Sequence, residues 1–160
     1  MLILGIDPGL ATIGFGYVRK IGEKYRAEEY GAITTKPRIP VEKRLSEIYD
    51  SVTELLNARR PDCISIEELF FNSNVTTAID VAMARGVILL AAEKCGVDIY
   101  EYTPLEVKSS VVGYGRAEKQ QVQYMVRLML GLSETPKPDD TADALALALC
   151  HGTRCSGLGR

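Results

Sequence analysis

Residues 2–6, Leu-Ile-Leu-Gly-Ile, form a short apolar run that stops at Asp7-Pro8-Gly9. Pro followed by Gly turns the chain directly after the acid, so the run predicts a buried strand with Asp7 at its end. Residues 14–18 and 26–34 carry apolar, aromatic and β-branched side chains on either side of the polar turn Ile21-Gly22-Glu23-Lys24, the pattern of two more strands in hairpin order. From Pro40 the spacing changes. Val41, Leu45, Ile48, Tyr49, Val52, Leu55 and Leu56 recur at helical intervals and predict an amphipathic helix to about Arg59, stopped by Pro61. Cys63-Ile64-Ser65-Ile66 predicts a fourth strand ending at Glu67-Glu68, residues 75–95 a long Ala-rich helix closed by Gly96, and residues 97–102 a fifth strand. Residues 104–112 and 117–130 read as helices around the turn Gly113-Tyr114-Gly115, and a last helix runs from Pro138 to about Cys150 with Asp139 or Asp140 in its first turn.

The order β-β-β-α-β-α-β-α-α-α, with an antiparallel start and right-handed βαβ crossovers, predicts an α/β fold: a mixed five-stranded sheet covered by helices. That is the outline of an RNase H-like fold. A length of 160 residues with 46% hydrophobic and 25% charged residues suits one domain with a real core, and neither a repeat nor a linker divides the chain. Residues 1–151 are expected to form the domain and residues 152–160, rich in Gly and Ser, a disordered tail.

No apolar run reaches the roughly 18 residues of a membrane span, and the N-terminus lacks the features of a signal peptide, so a cytoplasmic protein is expected. Cys63, Cys95, Cys150 and Cys155 show no CxxC spacing and read as reduced thiols. Cys150, His151 and Cys155 are close in sequence, but without a fourth ligand a zinc site is not expected. His151 reads as a solvated partner of its helix end. A net charge of −2 does not announce a nucleic-acid binder, although acids gathered at a metal site with Lys and Arg along a phosphate path would give the same sum.

Four acids fall where α/β folds build sites: Asp7 ends the first strand, Glu67 the fourth, and Asp140 and Asp143 lie on the last helix. If the first and fourth strands are parallel neighbours, Asp7 and Glu67 converge at one edge. Asp140 and Asp143 share a helix face, but so do Asp139 and Asp143, and spacing leaves that choice open. Glu68 alternates away from Glu67 along the strand. Crowded carboxylates repel unless protons or divalent cations neutralise them, and all-oxygen ligation points to Mg²⁺ or Mn²⁺. Two such ions flanking a phosphodiester lead to an expected 5′ phosphate and 3′ hydroxyl. Singly, each acid is as readily a turn former or a helix-dipole partner; the ordered set is harder to explain that way.

Leu4-Gly5-Ile6-Asp7-Pro8-Gly9, Ile66-Glu67-Glu68-Leu69-Phe70, Ala84-Arg85-Gly86-Val87, Val111-Val112-Gly113-Tyr114-Gly115, Ala117-Glu118-Lys119 and Asp140-Thr141-Ala142-Asp143-Ala144-Leu145-Ala146 together resemble the RuvC family in order and spacing. The first motif alone also opens actin-like ATPases; the six together are specific and cover about residues 2–151. The resemblance implies a Holliday-junction resolvase, a metal-dependent endonuclease of DNA recombination and repair that nicks symmetry-related strands in pairs. It implies Asp7, Glu67, Asp140 and Asp143 as catalytic metal ligands, favouring Glu67 over Glu68 and Asp140 over Asp139. It implies two Mg²⁺ ions per site, replaceable by Mn²⁺. It places Lys108, Lys119 and Arg85 at the DNA, with Phe70, and Phe71 as a second candidate, stacking on unpaired bases. A two-fold homodimer through the long helix and partnership with the RuvA–RuvB branch-migration complex also follow from it.

Two other classes compete with this reading. An actin-like phosphotransferase generally needs two such domains and a second phosphate loop. A non-catalytic junction-binding module would gain affinity by discarding the acids beside the phosphates.

Overall fold

Alternation along the first strand decides which side of the sheet each element covers. In β1 (Leu2–Asp7) the side chains of Leu2, Leu4 and Ile6 enter one apolar cluster, while Ile3 enters a second on the opposite face. In this computed structural model residues 1–69 and 75–155 are described, the side chains of residues 75–77 excepted. β2 (Thr12–Ile21) and β3 (Lys24–Thr34) follow as a hairpin, then α1 (Val41–Arg59), β4 (Cys63–Glu67), α2 (Val75–Cys95), β5 (Asp98–Tyr102), α3 (Pro104–Val112), α4 (Lys119–Leu130) and α5 (Asp139–Cys155).

The strands lie in the order β3-β2-β1-β4-β5. β1 and β2 are antiparallel, as are β2 and β3, whereas β4 runs parallel to both β1 and β5. This is the mixed five-stranded, RNase H-like sheet that the element order predicts. Helices α1 and α2 cover one face over Leu4, Ile6, Tyr17, Ile64 and Ile66; α3, α4 and α5 cover the other over Ile3, Val18 and Cys63. The layers are stitched by polar contacts: Tyr17 Oη donates to the Leu55 carbonyl at 2.7 Å, and Ser65 Oγ to the Leu147 carbonyl at 2.7 Å.

Several boundaries differ from the expectation. The hairpin strands extend further, turning on Gly22 at φ 59°, because cross-strand pairing persists past the apolar stretch that signals it. Helix α4 starts at Lys119 instead of residue 117, since Glu118 is its N-cap in a reciprocal capping box with Gln121. Helix α5 runs on to Cys155, so residues 152–155 belong to it and not to a tail. There Gly152 marks a close approach: a Cβ would strike the Tyr25 ring and Ile3, and the Gly152 carbonyl accepts from Lys20 Nζ at 2.6 Å. Residues 156–160 of the expected tail lie outside the described residues.

His151 also departs from expectation. It is 1% exposed, with Nδ1 2.7 Å from Tyr102 Oη, Nε2 3.1 Å from Cys155 Sγ, and Tyr100 packed on its ring. Burial, then the charge of Lys20, holds its pKa below the usual histidine range, so it is a neutral core group and not a solvated helix-end cation. Position near a helix end does not reveal that the helix end is itself covered by β5. All four cysteines are free, and no helix of the described residues is long and apolar enough to cross a membrane.

Candidate active site

On the face covered by α5, β1 presents Ile3, Gly5 and Asp7, and β4 presents Cys63, Ser65 and Glu67. Both strands run toward the same edge, which brings the two acids to neighbouring strand ends. Helix α5 crosses this face, and two glycines allow the close approach. A Cβ on Gly5 would overlap the Ala144 carbonyl, and one on Gly14, which pairs with Asp7 across the β1–β2 ladder, would overlap the carbonyl of Asp140. Thr141 Oγ1 then fastens the helix start to the Gly31 carbonyl at 3.0 Å. Asp140 and Asp143 thus enter the field of Asp7.

Electrostatics tie the acids together, with Asp140 acting on Asp7 and Asp143. The Asp7 pKa is pushed up from 3.8 to about 8 by burial first, then by the charges of Asp143, Glu67 and Asp140 against the opposing charge of Lys119. Burial and Asp143 raise Glu67, with Lys108 working the other way. Burial raises Asp143 despite its hydrogen bond from Lys119. Among the described residues no three His, Cys, Asp or Glu side chains close into a group that holds a metal ion as they stand. The donors nonetheless fit a hard divalent cation: they are carboxylates only, and Asp7, Glu67 and Asp143 are desolvated and destabilised by neighbouring negative charge.

Lys119 Nζ lies 3.0 Å from Asp143 Oδ2 and 3.4 Å from Asp139 Oδ2. Asp139, 61% exposed, thus shares Lys119 with Asp143, while Asp140 is among the charges that reach Asp7. Glu68 is exposed, its backbone N–H donating to the Tyr102 carbonyl at 2.9 Å. A cavity of about 240 Å³ opens between Glu67 and Asp143, with Lys108 and Lys119 on its rim and Val107, Val122 and Leu147 in its wall.

Arg85 is not on that rim. Its side chain, 13% exposed, turns inward from α2, pairing with Glu101 at 2.6 Å and donating to the Glu67 carbonyl at 3.3 Å. Phe70 and Phe71 lie outside the described residues. Sequence reasoning passed over Asp139 and Glu101 as partners of the basic residues, and no spacing signals either. It also passed over Gly14, although Gly14 and Gly16 on one strand face are the mark of another backbone approaching closely.

The sequence pattern of the family described as "Crossover junction endodeoxyribonuclease RuvC" matches residues 3–151. A relative of that description from Ruminiclostridium cellulolyticum is 57% identical over 152 residues, 95% of this chain and 92% of its own. Another, from Desulfitobacterium hafniense, is 52% identical over 160 residues, covering 100% and 97%. Among solved structures, Thermus thermophilus RuvC in complex with a Holliday junction substrate superposes with a TM-score of 0.92 at 40% identity, covering 97% of this chain and 94% of its own.

Proposed function

The chain belongs to the RuvC family of crossover junction endodeoxyribonucleases, and on that premise we propose that Asp7, Glu67, Asp140 and Asp143 are its active site. Its activity is that of a metal-dependent phosphodiester hydrolase that resolves Holliday junctions in DNA recombination and repair. The observation that carries the site assignment is the elevation of the Asp7 pKa, by burial first and then by the charges of the other three acids. Asp7, Glu67 and Asp143, from two strands and one helix, share a desolvated charge problem that a cation resolves, and Asp140 adds its charge to it.

The ion is Mg²⁺, two per site, with Mn²⁺ able to substitute. When bound, such ions activate water and stabilise the leaving 3′ oxygen, giving 5′-phosphate and 3′-hydroxyl ends. The chain's own groups do the rest. Asp7 and Glu67 are ligands on rigid strand ends, while Asp140 and Asp143 are ligands on a helix fixed by Gly14 and Thr141. Lys108 and Lys119 on the cavity rim supply the positive charge that draws the phosphodiester toward an acidic centre. The apolar wall of Val107, Val122 and Leu147 limits water around the reacting phosphate. Phe70 stacks on bases opened at the crossover.

The protein acts as a homodimer. An exposed stripe on α2, with Ile79 51% and Leu90 49% exposed and the open surface of Gly86 between them, supports this, since such a stripe calls for a partner surface. The single domain that runs through α5 to Cys155 carries the nuclease activity in the cytoplasm, and partnership with RuvA–RuvB follows from family membership alone.

The test is incubation with a mobile four-way junction and a matched linear duplex in Mg²⁺ or EDTA, read on a denaturing gel. Metal-dependent paired nicks confined to the junction are expected. Asp7→Asn is expected to abolish them while leaving junction binding intact or tighter. Loss of binding together with cleavage contradicts the role assigned to Asp7.

A further inference from the structure

The end of β4 is held from both faces of the sheet. Strand alternation sends the Glu67 side chain to the α5 face, where it meets the charge of Asp143. On the opposite face lies α2, and from it Arg85 reaches the same residue through the backbone. Arg85 Nε donates to the Glu67 carbonyl at 3.3 Å, and Nη2 lies 2.6 Å from Glu101 Oε1. Glu101 is on β5, paired with Ile66 in the parallel ladder. One guanidinium therefore ties α2, the last peptide of β4 and the adjoining strand together. The described ladder ends at this same peptide, whose Glu68 N–H donates to the Tyr102 carbonyl at 2.9 Å, so Glu67 sits at the margin where strand pairing stops restraining the chain.

We infer that Arg85 is a positioning residue for Glu67, with Glu101 as its anchor, and not a phosphate contact. Three observations carry this. The Arg85 side chain is 13% exposed, whereas a phosphate-binding arginine must offer its donors to solvent. Its charge is offset by Glu101, so the pair attracts DNA little. Its planar fork spans a carbonyl on one strand and a carboxylate on the next, a geometry lysine's single ammonium cannot reproduce. Holding the last peptide of β4 restricts the rocking of a residue whose carboxylate lies several bonds further out, where a small backbone rotation becomes a large displacement of oxygen. Displacements near 1 Å in a catalytic group cost on the order of 100-fold in rate.

The inference rests on Glu67 being one of the catalytic acids, and the experiment separates the two claims. Arg85→Met, Arg85→Lys, Glu101→Gln and Glu67→Gln are compared with the parent by single-turnover junction cleavage at saturating protein in Mg²⁺, by junction affinity across a KCl series in EDTA, and by Mn²⁺ titration followed by electron paramagnetic resonance. Arg85→Met and Glu101→Gln are each expected to slow cleavage by roughly 10- to 100-fold and to weaken Mn²⁺ binding. Junction affinity and its salt dependence are expected to stay within about twofold of the parent. Arg85→Lys is expected to fall between, and the double variant to be no worse than either single one, since the pair acts as a unit.

A phosphate contact gives the opposite pattern. Arg85→Met then loses affinity with a salt slope shallower by about 0.9, while Glu101→Gln, by freeing the arginine, tightens binding and leaves the rate alone. That result overturns the inference. Glu101 is 45% exposed, so Glu101→Gln keeps the test open even if Arg85→Met does not fold. An inactive Glu67→Gln beside an Arg85→Met that cleaves like the parent overturns the positioning role alone. A Glu67→Gln that cleaves like the parent overturns the site assignment and the inference with it.

Discussion

Replacing Asp7 by Asn in the metal-free protein removes a charge that the fold opposes strongly. Burial and three neighbouring acids lift the Asp7 pKa from 3.8 to about 8. The lift is roughly four units, and at about 1.36 kcal/mol per unit the ionised carboxylate opposes folding by on the order of 5 kcal/mol. The native state holds this proton more tightly than the unfolded chain does. Between about pH 4 and about pH 8 the unfolded chain has therefore released a proton that the native protein keeps, and stability falls as pH rises; above about pH 8 both states are ionised and the slope ends. Asn has nearly the same shape and no proton to lose. The stability advantage of Asp7→Asn should grow by about 1.4 kcal/mol per pH unit across that window. At about pH 7.5 in EDTA this becomes a gain of a few kcal/mol, a rise in Tm of roughly 10 °C for a domain of this size. Melting followed by circular dichroism from pH 5 to 8.5 reads the gap directly. Saturating Mg²⁺ should raise the parent's Tm more than the variant's, because the variant has lost a ligand. Parallel melting curves for the two proteins in EDTA, or a variant less stable at pH 8, refute the view that the acids form one coupled, desolvated cluster.

Gly14→Ala places a Cβ against the Asp140 carbonyl and forces the start of α5 away from β2; a loss of about 1–3 kcal/mol and a cleavage defect near 100-fold are expected from melting and single-turnover assays on the folded fraction. Lys119→Met removes the cation paired with Asp143 and Asp139; junction affinity should fall and its logarithmic salt slope become shallower by about 0.9, with an unchanged slope counting against a phosphate role. Tyr102→Phe leaves His151 Nδ1 without its 2.7 Å partner; a stability loss of about 1–3 kcal/mol with cleavage unaltered is expected, since this cluster belongs to the core.

The elements that bear the acids were legible because each is written locally. The apolar run before Asp7-Pro8-Gly9 declares a strand end, Ile64 to Ile66 declares another, and Asp140 and Asp143 are spaced for one helix face. Element order then limited the sheet to few arrangements, and the observed β1 and β4 are the parallel neighbours that bringing Asp7 and Glu67 to one edge supposed. The choice between Asp139 and Asp140 was not legible from spacing, because both share a face with Asp143. Tertiary packing separates them, with Lys119 beside Asp139 and the Asp140 backbone seated on Gly14.

Local pattern, turn chemistry and motif spacing thus determined the strands, the helices and which acids were candidates, since hydrophobic periodicity and turn chemistry act over a few residues. Tertiary structure alone decided the direction of each long basic side chain and the surroundings of each group beyond its own element. Lys119 turns to the acids, Arg85 turns inward to Glu101 and the Glu67 carbonyl, and His151 is buried beneath Tyr100 and Tyr102. Those outcomes depend on partners 16 to 51 residues away in sequence, set by the crossing of α5 and α2 over opposite faces of one sheet, and no local rule carries that information.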